Sequence, residues 1–242
     1  MKWPIALAFL FAAAPALAGE RVYPVADFDR ITVEGPYIVH LVTGRPTTAR
    51  AIGNTAALDR LRIDVSGQTL RIRRDRDHWR GNEGAQEGMP TIELTTRSLR
   101  SARLIGPARL DLDRLAGQRV DLAVEGSGEL RASVAADALS IGLAGSGRIE
   151  LAGRAGTLTA DLQGSGDLVA PGLTARDATI TSATSGSVSL GAGRSATVIA
   201  LGLGTVTIGG RPACTVRGPA ADRVACGAAN ALPPRGGGAT PR

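Results

Sequence analysis

A glycine-centred motif recurs along the chain at a nearly constant spacing. Its three central copies read Gly-Ser-Gly, then one charged residue, then Leu or Ile, and they stand 19 residues apart. With weaker flanking copies at spacings of 18 to 20 residues, the six copies begin at Gly106, Gly126, Gly145, Gly164, Thr184 and Gly202. A short fixed period indicates one supersecondary unit stacked repeatedly on itself. The chain is therefore predicted to be a repeat protein.

Apolar residues occupy alternate positions around each copy, as they do in strands that bury one face. Four residues after each copy begins, the apolar column is Leu110, Leu130, Ile149, Leu168, Val188 and Val206. Two residues before each copy, the inward column is Leu104, Val124, Leu143, Leu162, Ser182 and Ala200. Each repeat is therefore predicted to contain two short strands joined at the motif, where glycine supplies unusual backbone angles and serine hydrogen-bonds locally.

This periodicity predicts an all-β, single-domain β-solenoid with coils of about 19 residues. Successive coils of a solenoid pair with each other, so equivalent residues form columns about 4.8 Å apart. A β-sandwich is the alternative, because short strands at regular spacing also occur there. The solenoid is favoured, because a sandwich gives no reason for the same residues to recur at the same corner. Residues 19–227 are assigned to this domain, and residues 20 to about 73 to its first coils and end cap, with a hairpin turn at Ser66-Gly67-Gln68.

One surface column alternates in charge. The residues three positions after each copy begins are Arg109, Glu129, Arg148, Asp167, Ser187 and Thr205. Opposite charges on neighbouring coils predict a ladder of cross-strand ion pairs that fixes the register. A row of carboxylates that binds or cleaves sugars is the alternative interpretation.

Residues 1–18 have the features of a cleavable secretory signal peptide. Lys2 is followed by an apolar stretch from Ile5 to Ala14 and by the small-x-small sequence Ala16-Leu17-Ala18. This stretch is too short to span a membrane, and no other segment is long enough. The mature chain is therefore expected in the periplasm or outside the cell. The aperiodic residues 228–242 are rich in Pro, Gly and Ala, and we expect them to form a flexible tail.

Cys214 and Cys226 are the only cysteines of the chain. An exported protein meets an oxidising compartment, so we expect these two residues to form a disulfide that clamps the last coil. A metal or redox site is disfavoured, because no third ligand lies nearby and His40 and His78 are isolated from any ligand cluster. Neither a metal nor a cofactor is expected.

The chain carries a formal net charge of +6, and Lys2 is its only lysine. Cations are densest where a predicted strand runs into a glycine-rich polar loop, and the candidate binding residues are Arg73, Arg74, Arg76, Trp79 and Arg80. Such a basic loop with an exposed indole is typical of sites for anionic ligands, here an anionic glycan or another envelope component. A solvated, self-paired surface insertion is nevertheless the favoured interpretation of this loop, and the anionic site is the alternative. Nucleic acid is not an expected partner, because only 3% of the residues are aromatic and the chain is predicted to be exported.

Several segments together resemble one protein family. They are Phe28-Asp29-Arg30-Ile31-Thr32-Val33-Glu34-Gly35-Pro36-Tyr37-Ile38-Val39, Leu58-Asp59-Arg60-Leu61, Gly67-Gln68-Thr69-Leu70-Arg71-Ile72, the Gly-Ser-Gly coils and Gly210-Arg211-Pro212. In this order they resemble the exported GIN-domain proteins of bacteria, labelled putative auto-transporter adhesin heads. The resemblance covers nearly the whole mature chain and implies a right-handed parallel β-helix-like fold in an envelope protein. It transfers no catalytic residue.

Two functions are compatible with these features. The first is an exported, adhesin-like binding or structural protein that presents polar columns to a glycan or protein surface and has no catalytic site. The second is a polysaccharide-degrading hydrolase or lyase, because stacked coils place carboxylates where an acid and a base can act on a glycosidic bond. Its candidate residues are Asp111, Asp113, Glu129, Arg131, Arg148, Glu150 and Asp167. The alternation of acids with arginines favours the binding protein.

Overall fold

The structure is a computed structural model that describes residues 19–75 and 88–228. The predicted signal peptide, the centre of the arginine-rich loop and the predicted tail beyond Ala228 lie outside the described residues. The strands are β1 Gly19–Tyr23, β2 Arg30–Glu34, β3 Ile38–Thr43, β4 Thr48–Gly53, β5 Leu61–Ser66, β6 Thr69–Arg74, β7 Thr91–Thr96, β8 Ser101–Ile105, β9 Arg109–Gly126, β10 Glu129–Gly145, β11 Arg148–Gly164, β12 Asp167–Thr184, β13 Ser187–Ala200, β14 Thr205–Gly210, β15 Ala213–Arg217 and β16 Val224–Ala228. A short helix, α1 (Thr55–Asp59), and a 3₁₀ turn (Ala221–Arg223) complete the described part.

Strands β9 to β13 stack in parallel, each pairing with the equivalent strand of the next repeat. Leu130 lies between Leu110 and Ile149, as the column of the aligned repeats predicts. The chain forms a β-solenoid of about seven turns with coils of about 19 residues, which confirms the predicted fold. The β-sandwich alternative is wrong, because consecutive repeats pair directly with each other in parallel.

The predicted apolar columns form the core of the solenoid. Every residue of the two columns, including Ser182 and Ala200, is at most 3% exposed. Leu, Ile and Val from neighbouring coils therefore stack on one another inside the coil, and removal of their apolar surface from water is the main stabilising contribution.

Each coil bends a second time without interrupting its strand. We expected two short strands per coil, whereas β9 to β12 each run unbroken for 17 to 18 residues. Around this second bend the coils stay hydrogen-bonded, as the pairing of Ala135 with Arg154 and of Ala136 with Ala155 shows. Among the central coils, only the glycine corner separates one strand from the next.

The two glycines of each corner are required for different reasons. The first has a positive φ, +119° at Gly145, which other residues rarely adopt. The second leaves room for the neighbouring coil, because a Cβ on Gly147 would lie 2.6 Å from the carbonyl oxygen of Gly128. The corner therefore needs glycine once for its backbone angle and once for close approach.

The serine of the corner acts through its backbone. The N–H of Ser146 donates to the carbonyl oxygen of Gly126 in the preceding coil at 2.9 Å. The hydroxyls of Ser127, Ser146 and Ser165 make no hydrogen bond to any described residue, contrary to the predicted local bond. These side chains are exposed, so their hydroxyls form hydrogen bonds with water instead.

The N-terminal coils do not follow sequence order. The coil formed by β2 and β3 lies between the coil formed by β6 and β7 and the coil that begins with β8. In the outermost of these coils, β6 ends at Arg74 and β7 begins only at Thr91, so the sequence between these two strands is much longer than the glycine corner between β9 and β10. The arginine-rich loop therefore belongs to the coil in which the repeat is broken.

Antiparallel pairs and the short helix close this end of the solenoid. Strand β1 pairs with β4 and β4 with β7, while β5 and β6 form the predicted hairpin, with Ser66 opposite Thr69. Leu58 of α1 is 2% exposed and belongs to the common core. The N-terminal end of the core is thus covered by secondary structure that differs from the coils.

A disulfide closes the opposite end. Cys214 on β15 and Cys226 on β16 are bonded, and their Cα atoms are 6.4 Å apart. Cys214 pairs with Ala196 and Cys226 with Ile208, and both partners are fully buried core residues. The two cysteines therefore extend inward-facing columns, and their bond lies across the last described coil.

Replacing Gly145 by alanine is expected to destabilise the solenoid by about 2 kcal/mol or more, because the positive φ and the backbone of Gly126 both oppose a Cβ. The melting temperature of Gly145→Ala should fall by about 5 °C in differential scanning calorimetry. Gly142→Ala is the matched control, because a Cβ there meets no atom closer than 4.0 Å. Equal stability of the two variants would contradict the geometric role of the corner.

Removing the disulfide is expected to open the last coil. The Cys214→Ser/Cys226→Ser double variant should lose on the order of 3 kcal/mol of unfolding free energy, because the unfolded chain gains conformational entropy when the cross-link is absent. Hydrogen exchange should increase in β15 and β16 and remain unchanged in β10 and β11. Protein made in an oxidising compartment should contain no free thiol after denaturation, and a count of two thiols would disprove the clamp.

Candidate functional site

The predicted charge ladder is present along β9 to β12. Arg109 pairs with Glu129, and Nη2 of Arg148 lies 3.0 Å from Oδ2 of Asp167. Asp167 also accepts hydrogen bonds from the backbone N–H and the hydroxyl of Ser187, at 2.7 and 2.9 Å. Opposite charges therefore face each other from coil to coil, which favours this register over a shifted one.

A second charged column lies two residues further along the same strands. Its members on β3, β9, β10 and β11 are His40, Asp111, Arg131 and Glu150. Nε of Arg131 lies 3.0 Å from Oε2 of Glu150, and Nδ1 of His40 lies 3.3 Å from Oδ2 of Asp111. Arg131 also reaches back to Glu129 at 2.5 Å. We call the two columns together the charged face, in which each acid of the central coils has an arginine beside it.

Glu129 and Asp167 are held in their ionised form. Burial opposes ionisation of Glu129, but hydrogen bonds from Arg109 and Arg131 outweigh it and lower its pKa. The backbone N–H of Ser187 lowers the pKa of Asp167. A general acid for glycoside cleavage needs the opposite, a carboxyl whose pKa is raised so that it carries a proton near neutral pH. These pKa shifts favour a fixed array of charges over acid–base catalysis.

An open groove runs beside the charged face, between two irregular coils. β9 has one residue more than β10 in the stretch opposite Ser133, and β12 has one residue more than β11 in the stretch opposite Leu151. Between these bulges, β10 and β11 keep an uninterrupted register. The groove has a volume of about 520 Å³, and its lining includes Asp111, Arg131, Glu150, Ser133, Ala152 and Pro171.

The groove combines small residues with charges of both signs. Ser133 and Ala152 pair with each other at its centre, and both are exposed. Arg131 and Glu150 form an ion pair at its edge. This pair already fixes the conformations of both side chains, so a ligand would meet hydrogen-bond donors and acceptors that are held in place. No aromatic side chain is among the residues that line the groove. The groove therefore presents fixed polar groups of both charge signs beside small side chains.

The structure places only part of the predicted basic loop. Arg73 lies on β6, and its Nε is 3.5 Å from Oδ1 of Asp64 across the hairpin. Arg74 lines a separate cavity of about 180 Å³ together with Tyr37 and Met89. Burial raises the pKa of Tyr37, whereas Arg74 acts in the opposite direction.

Arg76, Trp79 and Arg80 lie outside the described residues. An anionic ligand at the five predicted loop positions therefore stays a prediction. Arg73 and Arg74, the two described members of the set, are not among the residues that line the groove.

Sequence reasoning missed the groove and the position of His40. The copies that begin at Gly106 and Gly164 are followed by spacings of 20 residues, which contain the extra residues of β9 and β12. This length difference was a usable signal for bulges, and bulges commonly occur beside functional sites. His40 lies outside the repeats, so no column of the alignment assigned it to the charged face.

Within residues 19–75 and 88–228, no group of three or more His, Cys, Asp or Glu side chains is arranged to hold a metal ion. In the same ranges, no helix has the length and apolar character needed to cross a membrane.

Comparison with known families identifies the architecture. Residues 27–212 match the family described as "putative auto-transporter adhesin, head GIN domain". The chain belongs to the GIN-domain family. This match confirms the resemblance inferred from the sequence, and the adhesin-like character of the family agrees with an exported or surface protein. No curated protein sequence matches this GIN domain significantly.

Solved structures share the fold of this GIN domain. A structure described as a putative adhesin from Bacteroides fragilis is 19% identical, with a TM-score of 0.74, over 84% of this chain and 94% of that chain. One described as a putative lipid binding protein from Parabacteroides distasonis is 20% identical, with a TM-score of 0.64, over 84% and 95%. A putative adhesin from Parabacteroides merdae is 16% identical, with a TM-score of 0.63, over 84% and 94%. At these identities the similarity shows the fold alone.

Reversing one charge of the ladder is expected to destabilise the GIN domain. Arg148→Glu would place a carboxylate between Glu129 and Asp167, its register neighbours. We expect a loss of about 1 kcal/mol, with a melting temperature lower by about 2 to 4 °C in low-salt buffer and a smaller loss at high salt.

Arg154→Glu provides the matched control for this experiment, because Arg154 is an exposed residue of the same strand and has no ion-pair partner among the described residues. An unchanged melting temperature of Arg148→Glu, or an equal loss in both variants, would contradict a stabilising ladder.

Proposed function

We propose that this GIN domain is an exported, adhesin-like binding module of the cell envelope that recognises a glycan in the groove beside the charged face. The observation that carries this proposal is the groove itself, built where two bulged coils flank two regular ones. A solenoid needs no such irregularity for its own stability. Bulges are typical of places where a sheet aims side chains at a partner.

The polar groups of the groove support a carbohydrate ligand. Arg131 supplies guanidinium donors, and Asp111 and Glu150 supply carboxylate acceptors. Sugar hydroxyls both donate and accept hydrogen bonds, so a lining with both kinds of group can satisfy them. Because the ion pairs hold these side chains in place, a ligand loses little binding free energy in ordering them.

The proposed module binds its ligand without cleaving it. Hydrogen bonds from Arg109 and Arg131 lower the pKa of Glu129, and the backbone N–H of Ser187 lowers the pKa of Asp167, so both acids stay ionised and neither fits the role of a proton donor. The adhesin-like family membership agrees with a binding role. The export of the domain rests on the predicted signal peptide at residues 1–18.

Filling the groove is expected to abolish recognition without unfolding the protein. Ser133 is exposed at the centre of the groove, so Ser133→Trp would occupy it from the solvent side. On a glycan array, the mature wild-type protein should bind a defined set of glycans, and Ser133→Trp should lose at least about tenfold in affinity for them. Its melting temperature should stay close to that of the wild type.

Ser140→Trp is the matched control, because Ser140 is an exposed residue of the same strand outside the groove lining. It should retain the wild-type affinity. Failure of the wild type to bind any glycan, or equal losses in both variants, would exclude the groove as the recognition site. Release of new reducing ends from a bound polysaccharide would favour the enzyme instead.

A further inference from the structure

The second bend of the coils carries a row of arginines. The row is marked by Ala155, Ala175, Ala192 and Gly210, which pair successively from β11 to β14. Within two residues of these four positions lie the arginines that we call the arginine corner: Arg154, Arg176, Arg194 and Arg211. Four successive coils therefore each carry one arginine within two residues of this bend.

This arrangement differs from the charged face in its sign pattern. There, acids and arginines alternate, whereas the arginine corner contains four arginines and a single carboxylate, Asp177. Like charges on adjacent strands are destabilising and one carboxylate does not balance four arginines, so stability alone does not account for this row. The arginines are also accessible, with 64% of the Arg176 side chain and 69% of the Arg194 side chain exposed.

Asp177 holds two of these guanidinium groups in place. It accepts hydrogen bonds from Nε and Nη2 of Arg194, at 2.7 and 2.6 Å, and from Nε of Arg176 at 3.1 Å. The hydroxyl of Ser195 donates to it at 2.6 Å. Hydrogen bonds from Arg194, Ser195 and Arg176 hold the pKa of Asp177 far below its ordinary value, so it remains charged. Part of each guanidinium is left for a ligand.

No carboxylate among the described residues neutralises the positive charge of the other two arginines. Arg154 and Arg211 form no ion pair with any residue in the described ranges. Asp137, on β10, is the nearest acid of the preceding coil at this bend and limits the positive row on that side. The net positive charge of the arginine corner therefore extends from β11 to the residue after β14.

We propose that the arginine corner binds an acidic polysaccharide whose anionic groups follow the coils. Coils of a solenoid advance by about 4.8 Å, and a sugar unit of an extended polysaccharide advances by a comparable length. Guanidinium groups match carboxylate and sulfate oxygens with paired donors. A linear polyanion laid along the solenoid axis would meet one arginine per coil.

A lipid surface fits the arginine corner less well. The exposed large apolar residues in the described part of the chain are Val22, Met89, Leu201 and Leu203, and none of them lies at this bend. Peripheral attachment to membranes usually combines positive charge with inserted apolar side chains. A polar, one-dimensional row of cations is better suited to a soluble polyanion.

The arginine corner does not contribute to the groove lining, so its binding is independent of the proposed glycan recognition there. The probe for the test is polygalacturonate, with neutral dextran as its uncharged counterpart, measured by isothermal titration calorimetry at two salt concentrations. Wild-type protein should bind polygalacturonate with an affinity that decreases with salt, and should not bind dextran.

The decisive variant is Arg154→Ser/Arg211→Ser, because within residues 19–75 and 88–228 these two arginines have no ion pair whose loss could disturb the fold. Its affinity for polygalacturonate should fall by roughly tenfold, and its salt dependence should become shallower. The control is Arg71→Ser/Arg217→Ser, which removes the same charge from two exposed arginines on the other wall of the solenoid. It should bind within about twofold of the wild type.

Three results would overturn the proposal. The first is that the wild type shows no salt-dependent binding of polygalacturonate. The second is that both double variants lose the same affinity. The third is that Arg154→Ser/Arg211→Ser loses binding to phosphatidylglycerol vesicles while its polygalacturonate binding is unchanged. The last result would assign the arginine corner to membranes. Ser133→Trp should retain polygalacturonate binding, so failure of the groove and failure of the arginine corner are distinguishable.

Discussion

Hydrogen bonding between successive coils is the constraint on which the rest of this structure depends. Parallel pairing of each repeat with the next fixes every residue beside its equivalents, so a Cβ where two corners meet would collide with backbone, as at Gly147. The same pairing stacks Leu, Ile and Val into continuous columns and brings surface charges into rows. Core, corners and charged face are therefore consequences of one repeated register.

Rows of charge serve opposite purposes in this solenoid. On the charged face, alternation neutralises each row and favours one register, and the ion pairs leave rigid polar groups beside the groove. At the arginine corner, a row of one sign is held partly by Asp177 and gains nothing from its own neighbours. Because a solenoid repeats positions at a fixed spacing, the sign pattern of a row distinguishes charges that stabilise the fold from charges that are available to bind a ligand.

The periodic part of the protein could be predicted closely from its sequence, because periodicity itself carries the register. Leu130 between Leu110 and Ile149, and Arg148 between Glu129 and Asp167, follow from alignment of the repeats alone. The groove required the extra residues of β9 and β12, which an alignment treats as small irregularities. The arginine corner was missed because its arginines shift by up to a few positions around a bend and never form one strict column.

The interleaved N-terminal coils also restrict how the chain can fold. The coil made of β2 and β3 needs β8 on one side and β6 on the other, and β8 begins only at Ser101. Strand β2 therefore lacks one of its two partners until the chain has been synthesised beyond Ser101. Pairing across so long a sequence separation is slower than pairing between the middle coils, whose partners lie about 19 residues apart in the chain. The coil of β2 and β3 is thus synthesised early but gains its full set of partners only when β8 and β9 have been made.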